Sequence, residues 1–270
     1  MSTPVRLRHR ISVGFLVCDL FLITGLALWV EGTVGFDQLA LVGLADDYGL
    51  IATGFLYLTL LVSPLAQAFP SLPGRRWWFL ARRGLGLSSL VFAVPHALVA
   101  FLGPMGGFPG LAFLDPYTGW ALVLGLLGLA VLLVLGATAN DFSVARLGTR
   151  TWKTLHRTVY LLGTLVLLHV VLVGTHFGDA HSLWTLGGLV LMSVLLWLQA
   201  LRFDRWLSKR RNSESARFGP AAVLTFGLIV AAWVWTVQPP AVQTDSSGAR
   251  WVVGHHGMIL PAPPAPEDKP

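Results

Sequence analysis

The sequence predicts an all-α, polytopic membrane helix bundle of about seven transmembrane helices with a cytoplasmic N-terminus. Three observations carry that expectation. Of the 270 residues, 54% are hydrophobic and only 12% are charged, where a soluble domain has about a quarter charged. Apolar runs of about 20 residues, the length needed to cross a bilayer, recur along the chain. The short segments between those runs alternate in charge, basic then acidic or neutral.

The spans are expected at 11–30, 50–69, 84–103, 118–138, 153–174, 183–201 and 218–238. The first follows Arg6, Arg8 and Arg10 and ends in WVEGTVG rather than at a small-residue cleavage site, so it reads as a retained helix and not a signal peptide. The link after it carries Glu31, Asp37, Asp46 and Asp47. The third span follows Arg75, Arg76, Arg82 and Arg83; the fifth grows out of Arg146, Arg150, Lys153 and Arg157. The link before the seventh holds Arg202, Arg205, Lys209, Arg210, Arg211 and Arg217. Seventeen of the 19 Lys and Arg residues thus fall on one side, leaving Arg250 and Lys269 for the other. The positive-inside rule makes the basic side cytoplasmic.

The resulting organisation is a cytoplasmic N-terminus (1–10), a six-helix bundle (11–201), a basic cytoplasmic loop (202–217), an additional helix (218–238) and a periplasmic Pro-rich tail (239–270). The additional helix is weakened by Gly219, Pro220 and Gly227, and the tail, ending PAPPAPEDKP, is expected to lack structure. The net charge of +6 is divided among loops rather than gathered on one solvated face, so lipid, not nucleic acid, is the expected partner. Cys18 stands alone in an apolar run and reads as a packing residue. Trp77, Trp78, Trp120, Trp152 and Trp184 fall near span ends, as an aromatic belt requires. There is no GxGxxG after a strand and no P-loop, so chemistry is expected inside the bundle.

Of eight histidines, His9 lies in the basic N-terminus, His176 and His181 in a loop, and His255 and His256 in the tail. Adjacent histidines with Met258 in GHHGM could ligate copper or iron, although a lone pair in a tail reads more simply as solvated. His96, His156 and His169 lie in apolar spans, where an imidazole is costly without a partner. On one straight helix, His156 and His169 would stand about 20 Å apart and point roughly 140° from each other, so they cannot be two ligands of one metal. His96 matches His169 in depth, and facing imidazoles in a bundle are a common grip on haem. A haem between His96 and His169 is therefore the first expectation. His156, near the cytoplasmic end, could hold a second haem, contact a flavin or quinone, or serve structure. Asp19, mid-span in the first helix, reads as a protonated or hydrogen-bonded carboxyl or as part of a proton or quinone site. Arg82, Arg83 and Arg157 read first as topology charges and second as partners for haem propionates or flavin phosphates.

RRGLGLSSLVFAVPHALVAF, followed by WKTLHRTVYLLGTLVLLH, resembles the ferric reductase-like transmembrane family over about residues 50–201. Within that family it resembles the haem-binding membrane subunit of bacterial periplasmic methionine sulfoxide reductase systems. The resemblance implies b-type haem, one or two, held by His96, His156 and His169 as ligands to haem iron. It also implies electron flow outward across the bacterial inner membrane, from a cytoplasmic flavin reductase or quinol to a periplasmic reductase or metal ion. FMN or quinone is a further implied cofactor. The chain departs from the oxidase branch at Pro109 and Gly110, where no second histidine of the third helix stands. It also departs in its extra span and tail. The rival expectations are a haem-handling or transport protein, using the same histidines reversibly, and a non-haem structural or assembly membrane protein.

Overall fold

The computed structural model describes residues 3–35, 38–71, 73–173, 183–211, 219–220, 223–227, 242–244, 250–253 and 259–261. Its helices are α1 (Thr3–Val34), α2 (Gln38–Ala68), α3 (Arg75–Leu102), α4 (Gly107–Gly110), α5 (Pro116–Ala137), α6 (Asp141–Leu147), α7 (Thr149–His156), α8 (Val159–Val173) and α9 (Leu183–Arg211), with a 3-10 turn at Leu111–Phe113. Among the described residues, six segments are long and apolar enough to cross a membrane: Arg10–Thr33, Ala40–Ala68, Arg75–Leu102, Pro116–Ala137, Thr149–Leu172 and Gly187–Ser208. The chain is a polytopic helical membrane bundle. Leu126, Leu127, Leu133 and Val134 on α5, and Leu167, Leu168 and Val171 on α8, are exposed on its outside. Such a surface suits hydrocarbon rather than water.

Local chemistry sets the element ends. Asp115 caps α5 by accepting from the Tyr117 and Thr118 amides, and Pro116 takes the first helical position, where its missing N–H costs nothing. Asn140 caps α6 through the Ser143 amide. Gly74, at φ 74°, turns the chain into α3 in a backbone conformation that favours glycine. At the C-terminal end of α2, Arg205 on α9 donates to the Gln67 and Ala68 carbonyls, satisfying acceptors a helix C-terminus leaves open.

Two apolar clusters hold the bundle. Val30, Leu44, Tyr48, Ala52 and Phe92 join α1, α2 and α3. Leu56, Leu60, Leu132, Leu135, Val159, Leu162 and Leu195 join α2, α5, α8 and α9. Hydroxyls between helices donate to backbone carbonyls: Tyr48 to Ile23 at 2.9 Å, Ser89 to Ala52 at 2.9 Å and Tyr57 to Leu191 at 2.9 Å. Each such bond avoids leaving a polar group stranded away from water.

Three expectations from the sequence change. Helix α2 begins at Gln38, so Asp46 and Asp47 lie on a helix and not in a loop. Their neighbours Leu44, Ala45 and Tyr48 are buried, and that packing extends the helix beyond its most hydrophobic stretch. The expected single span over 153–174 is two helices joined at Arg157 and Thr158. There the amides of Arg157 and Thr158 bond three residues back, to Thr154 and Leu155, and the Thr158 hydroxyl also bonds the Leu155 carbonyl at 2.8 Å. That tightened turn resets the helical phase between His156 and His169. The tail contains strands β1 (Val242–Thr244), β2 (Arg250–Val253) and β3 (Ile259–Pro261), paired antiparallel in the order β1-β2-β3. Pro261 sits at the end of an outer strand, where a missing amide costs least. The expected span at 218–238 lies mostly outside the described residues; 219–220 and 223–227 are helical.

Candidate functional site

The structure brings His96 and His169 together. Their ring centroids are 6.0 Å apart and their planes cross at 84°. His96 lies near the C-terminal end of α3, directly after Pro95, which withholds one amide from the helix ladder. His169 lies near the C-terminal end of α8. Both rings are half-buried.

Each ring is held by a backbone carbonyl on the preceding long helix. His96 Nδ1 is 2.7 Å from the Ala45 oxygen on α2, and His169 Nδ1 is 2.8 Å from the Ala121 oxygen on α5. A carbonyl only accepts, so Nδ1 carries the proton in both rings, and Nε2 keeps its lone pair. Metal-ligating histidines show this arrangement, in which the second nitrogen fixes tautomer and ring direction. A centroid spacing of 6.0 Å leaves room for a metal ion to be held by both rings at about 2 Å from each nitrogen. Among the described residues no three His, Cys, Asp or Glu side chains gather to hold a metal ion by themselves.

His156 is elsewhere, at the C-terminal end of α7, toward the end of the bundle rich in arginine. Its Nε2 is 3.1 Å from Thr138 Oγ1, and its ring stacks on Trp152 with centroids 4.0 Å apart. The Thr138 hydroxyl donates to the Val134 carbonyl at 2.7 Å, so it accepts from His156, whose proton is then on Nε2. Trp152 completes the cluster by donating from Nε1 to the Thr138 carbonyl at 2.8 Å. Arg82 and Arg83 carry their charges near His156. Arg83 also pairs with Asp141 at 3.2 Å and donates to the Ala139 carbonyl, tying α3 to α6. Arg82 shares its surroundings with Tyr160 and Arg202, and Arg202 donates to the Tyr160 hydroxyl at 2.6 Å.

Asp19 is buried where α1 meets α3, facing Ser88, and its Oδ2 has no hydrogen-bond partner among the described residues. His176, His181, His255, His256 and Met258 lie outside the described residues. Sequence reasoning missed Ala45, Ala121 and Thr138. The two alanines act through backbone oxygens, which side-chain identity does not announce. Thr138, at the end of α5, looks from the sequence like an ordinary helix terminus.

A bundle of spanning helices with a half-buried imidazole pair between them is the class of membrane protein that can hold a metal-bearing cofactor. A family model described as "Ferric reductase like transmembrane component" matches residues 48–167. Over 186 residues the chain is 30% identical to the protein-methionine-sulfoxide reductase heme-binding subunit MsrQ of Ralstonia nicotianae, covering 64% of this chain and 84% of that protein. Over 187 residues it is 30% identical to the magnetosome protein MamZ of Paramagnetospirillum magneticum, covering 66% of this chain but 26% of that protein. No solved structure matches. The chain belongs to the ferric reductase-like transmembrane family.

Proposed function

We propose that this chain is a membrane electron-transfer subunit that holds b-type haem between His96 and His169. The observation that carries the reading is the pair itself: two rings 6.0 Å apart, each with Nδ1 on a carbonyl and Nε2 left with its lone pair. His96 and His169 would hold the haem iron through their Nε2 atoms. The family membership and the printed name of the Ralstonia relative, a heme-binding subunit, support the same group.

Haem supplies a one-electron ferric/ferrous couple when bound. The residues of this chain do the rest. His96 and His169 would ligate and orient the haem, the Ala45 and Ala121 carbonyls hold the rings, and the apolar helices around them would keep water away. With the basic loops on the cytoplasmic side, the pair lies in the outer half of a bacterial inner membrane, and electrons pass outward. His156 and the Arg82 cluster lie at the donor end, where a cytoplasmic flavin reductase or quinol would deliver electrons. FMN or quinone is the cofactor that end would take. The acceptor is a periplasmic reductase, by analogy with the relative's name, or a metal ion.

The test is a reduced-minus-oxidised spectrum with pyridine haemochrome quantitation on wild type and on His96→Ala, His156→Ala and His169→Ala. Low-spin haem should vanish with either member of the pair. Any second haem is counted by what His156→Ala removes. Haem that exchanges freely and is not reduced by a flavin reductase would mark a haem-handling protein instead. A colourless wild type, expressed with ample haem, would overturn the reading and leave a structural or assembly membrane protein.

A further inference from the structure

The two histidines are gripped in the same way by two different helices. On α2 the sequence is Ala45-Asp-Asp-Tyr-Gly49; on α5 it is Ala121-Leu-Val-Leu-Gly125. In each, the alanine carbonyl takes the imidazole proton, and the glycine four residues on lies against the same ring. A Cβ at Gly49 would fall 2.8 Å from His96 Nδ1 and 2.9 Å from its Cε1. A Cβ at Gly125 would fall 3.0 Å from both Nδ1 and Cε1 of His169.

The geometry of an α-helix explains the spacing. The carbonyl of residue i points along the axis at the amide of residue i+4, so its free lone pair can be reached only from the side. A side chain at i+4 stands over that approach, and a ring that must come within hydrogen-bond distance collides with it. Glycine removes the obstacle. It also weakens a helix interior, which makes two of them at equivalent places a choice needing a reason. The hairpins α2–α3 and α5–α8 therefore repeat one device: an alanine-to-glycine notch on the first helix and a histidine near the end of the second.

We infer that Gly49 and Gly125 are positioning residues, each opening the notch that lets one imidazole reach its carbonyl, and that the two notches together set the crossed orientation of the pair. The spectroscopic test of this rests on the haem reading above. Crossed planes, here 84°, place the largest g value of low-spin ferric haem well above that of parallel planes.

Gly49→Ala and Gly125→Ala are compared with Gly54→Ala on α2 and Gly119→Ala on α5, where an added Cβ meets nothing within 4 Å. The cradle variants should shift the largest g value toward that of less crossed rings. They should also weaken haem retention, on the order of 10-fold as for other losses of a ligand's outer partner. Gly49→Ala should do more than Gly125→Ala because its contact is closer, and both controls should keep the wild-type spectrum. Cradle variants with wild-type g values and full haem would overturn the inference, as would controls that shift equally. Loss of both cradle variants from the membrane while both controls accumulate would reduce the notches to general packing and also overturn it. A colourless wild type fails the haem reading instead, and the notches are then read by melting temperature. In that case the cradle variants should melt below wild type and the controls at or above it; equal melting would overturn the inference.

Discussion

His96 and His169 at one end of the bundle, and His156 at the arginine-rich other end, are the same residue type on membrane-spanning segments, yet the structure holds them in opposite ways. In the pair, backbone oxygens bind Nδ1 and leave Nε2 with its lone pair. At His156 the threonine hydroxyl binds Nε2, and a tryptophan covers the ring. The nitrogen that a haem iron would take is presented in the first case and engaged in the second. An imidazole's role in a membrane is thus decided by what occupies its other nitrogen, not by its depth or its count.

The largest break in that comparison comes from double variants. Because the proposed haem between His96 and His169 would need both ligands, either single alanine should remove essentially all of it, and the double variant should lose nothing further. That strongly non-additive result is the mark of residues acting as one unit. His156→Ala combined with either should simply add its own effect. Additive partial losses for His96→Ala and His169→Ala, measured as haem per protein, would separate the two into different sites.

A smaller effect probes the other end. Thr138→Val keeps the shape of the side chain and removes the acceptor of the His156 proton. It should cost about 1–2 kcal/mol, the usual penalty for stranding a half-buried donor. Melting curves should show that cost largely abolished in a His156→Ala background, while haem bound at the pair is unchanged in all three variants. Haem lost on Thr138→Val would draw His156 into the cofactor site and erase the contrast.

How much of this was legible beforehand follows from where each signal resides. The bundle was readable because hydropathy and loop charge are carried by side chains in sequence order, and lipid imposes helices on any chain that crosses it. The proximity of His96 to His169 rested on depth matching, which needs only the helix rise. The break at residues 157–158 was not readable, since Arg157 and Thr158 look like the polar flank of one span and VYLL continues the apolar pattern past them. The carbonyl grips of Ala45 and Ala121 were hidden for another reason. Their specificity lies in an absent side chain four residues downstream, and an A-x-x-x-G spacing reads as ordinary helix packing until a ring is seen lying in it. The tail strands were masked by their prolines, which weigh heavily in composition but sit at a strand end in at least one case.

The smallest expected effect concerns α5, the helix that serves both ends, with Ala121 near its start and Thr138 just past its finish. Its N-terminus depends on Asp115, whose carboxylate accepts from the Thr118 hydroxyl first, then from the Thr118 and Tyr117 amides, and these bonds hold its pKa below the ordinary 3.8. A carboxyl with a lowered folded-state pKa contributes stability that is fully present above its unfolded value and lost as pH falls through the folded one. The contribution is therefore intact at neutral pH and disappears only below about pH 4. Asp115→Asn retains a capping oxygen but cannot titrate, so its melting temperature at pH 7 should lie close to wild type. Between pH 5 and pH 3, the wild-type melting temperature should fall slightly more steeply than that of the variant. Parallel acid slopes would show that the cap at the start of α5 is not linked to proton binding on Asp115.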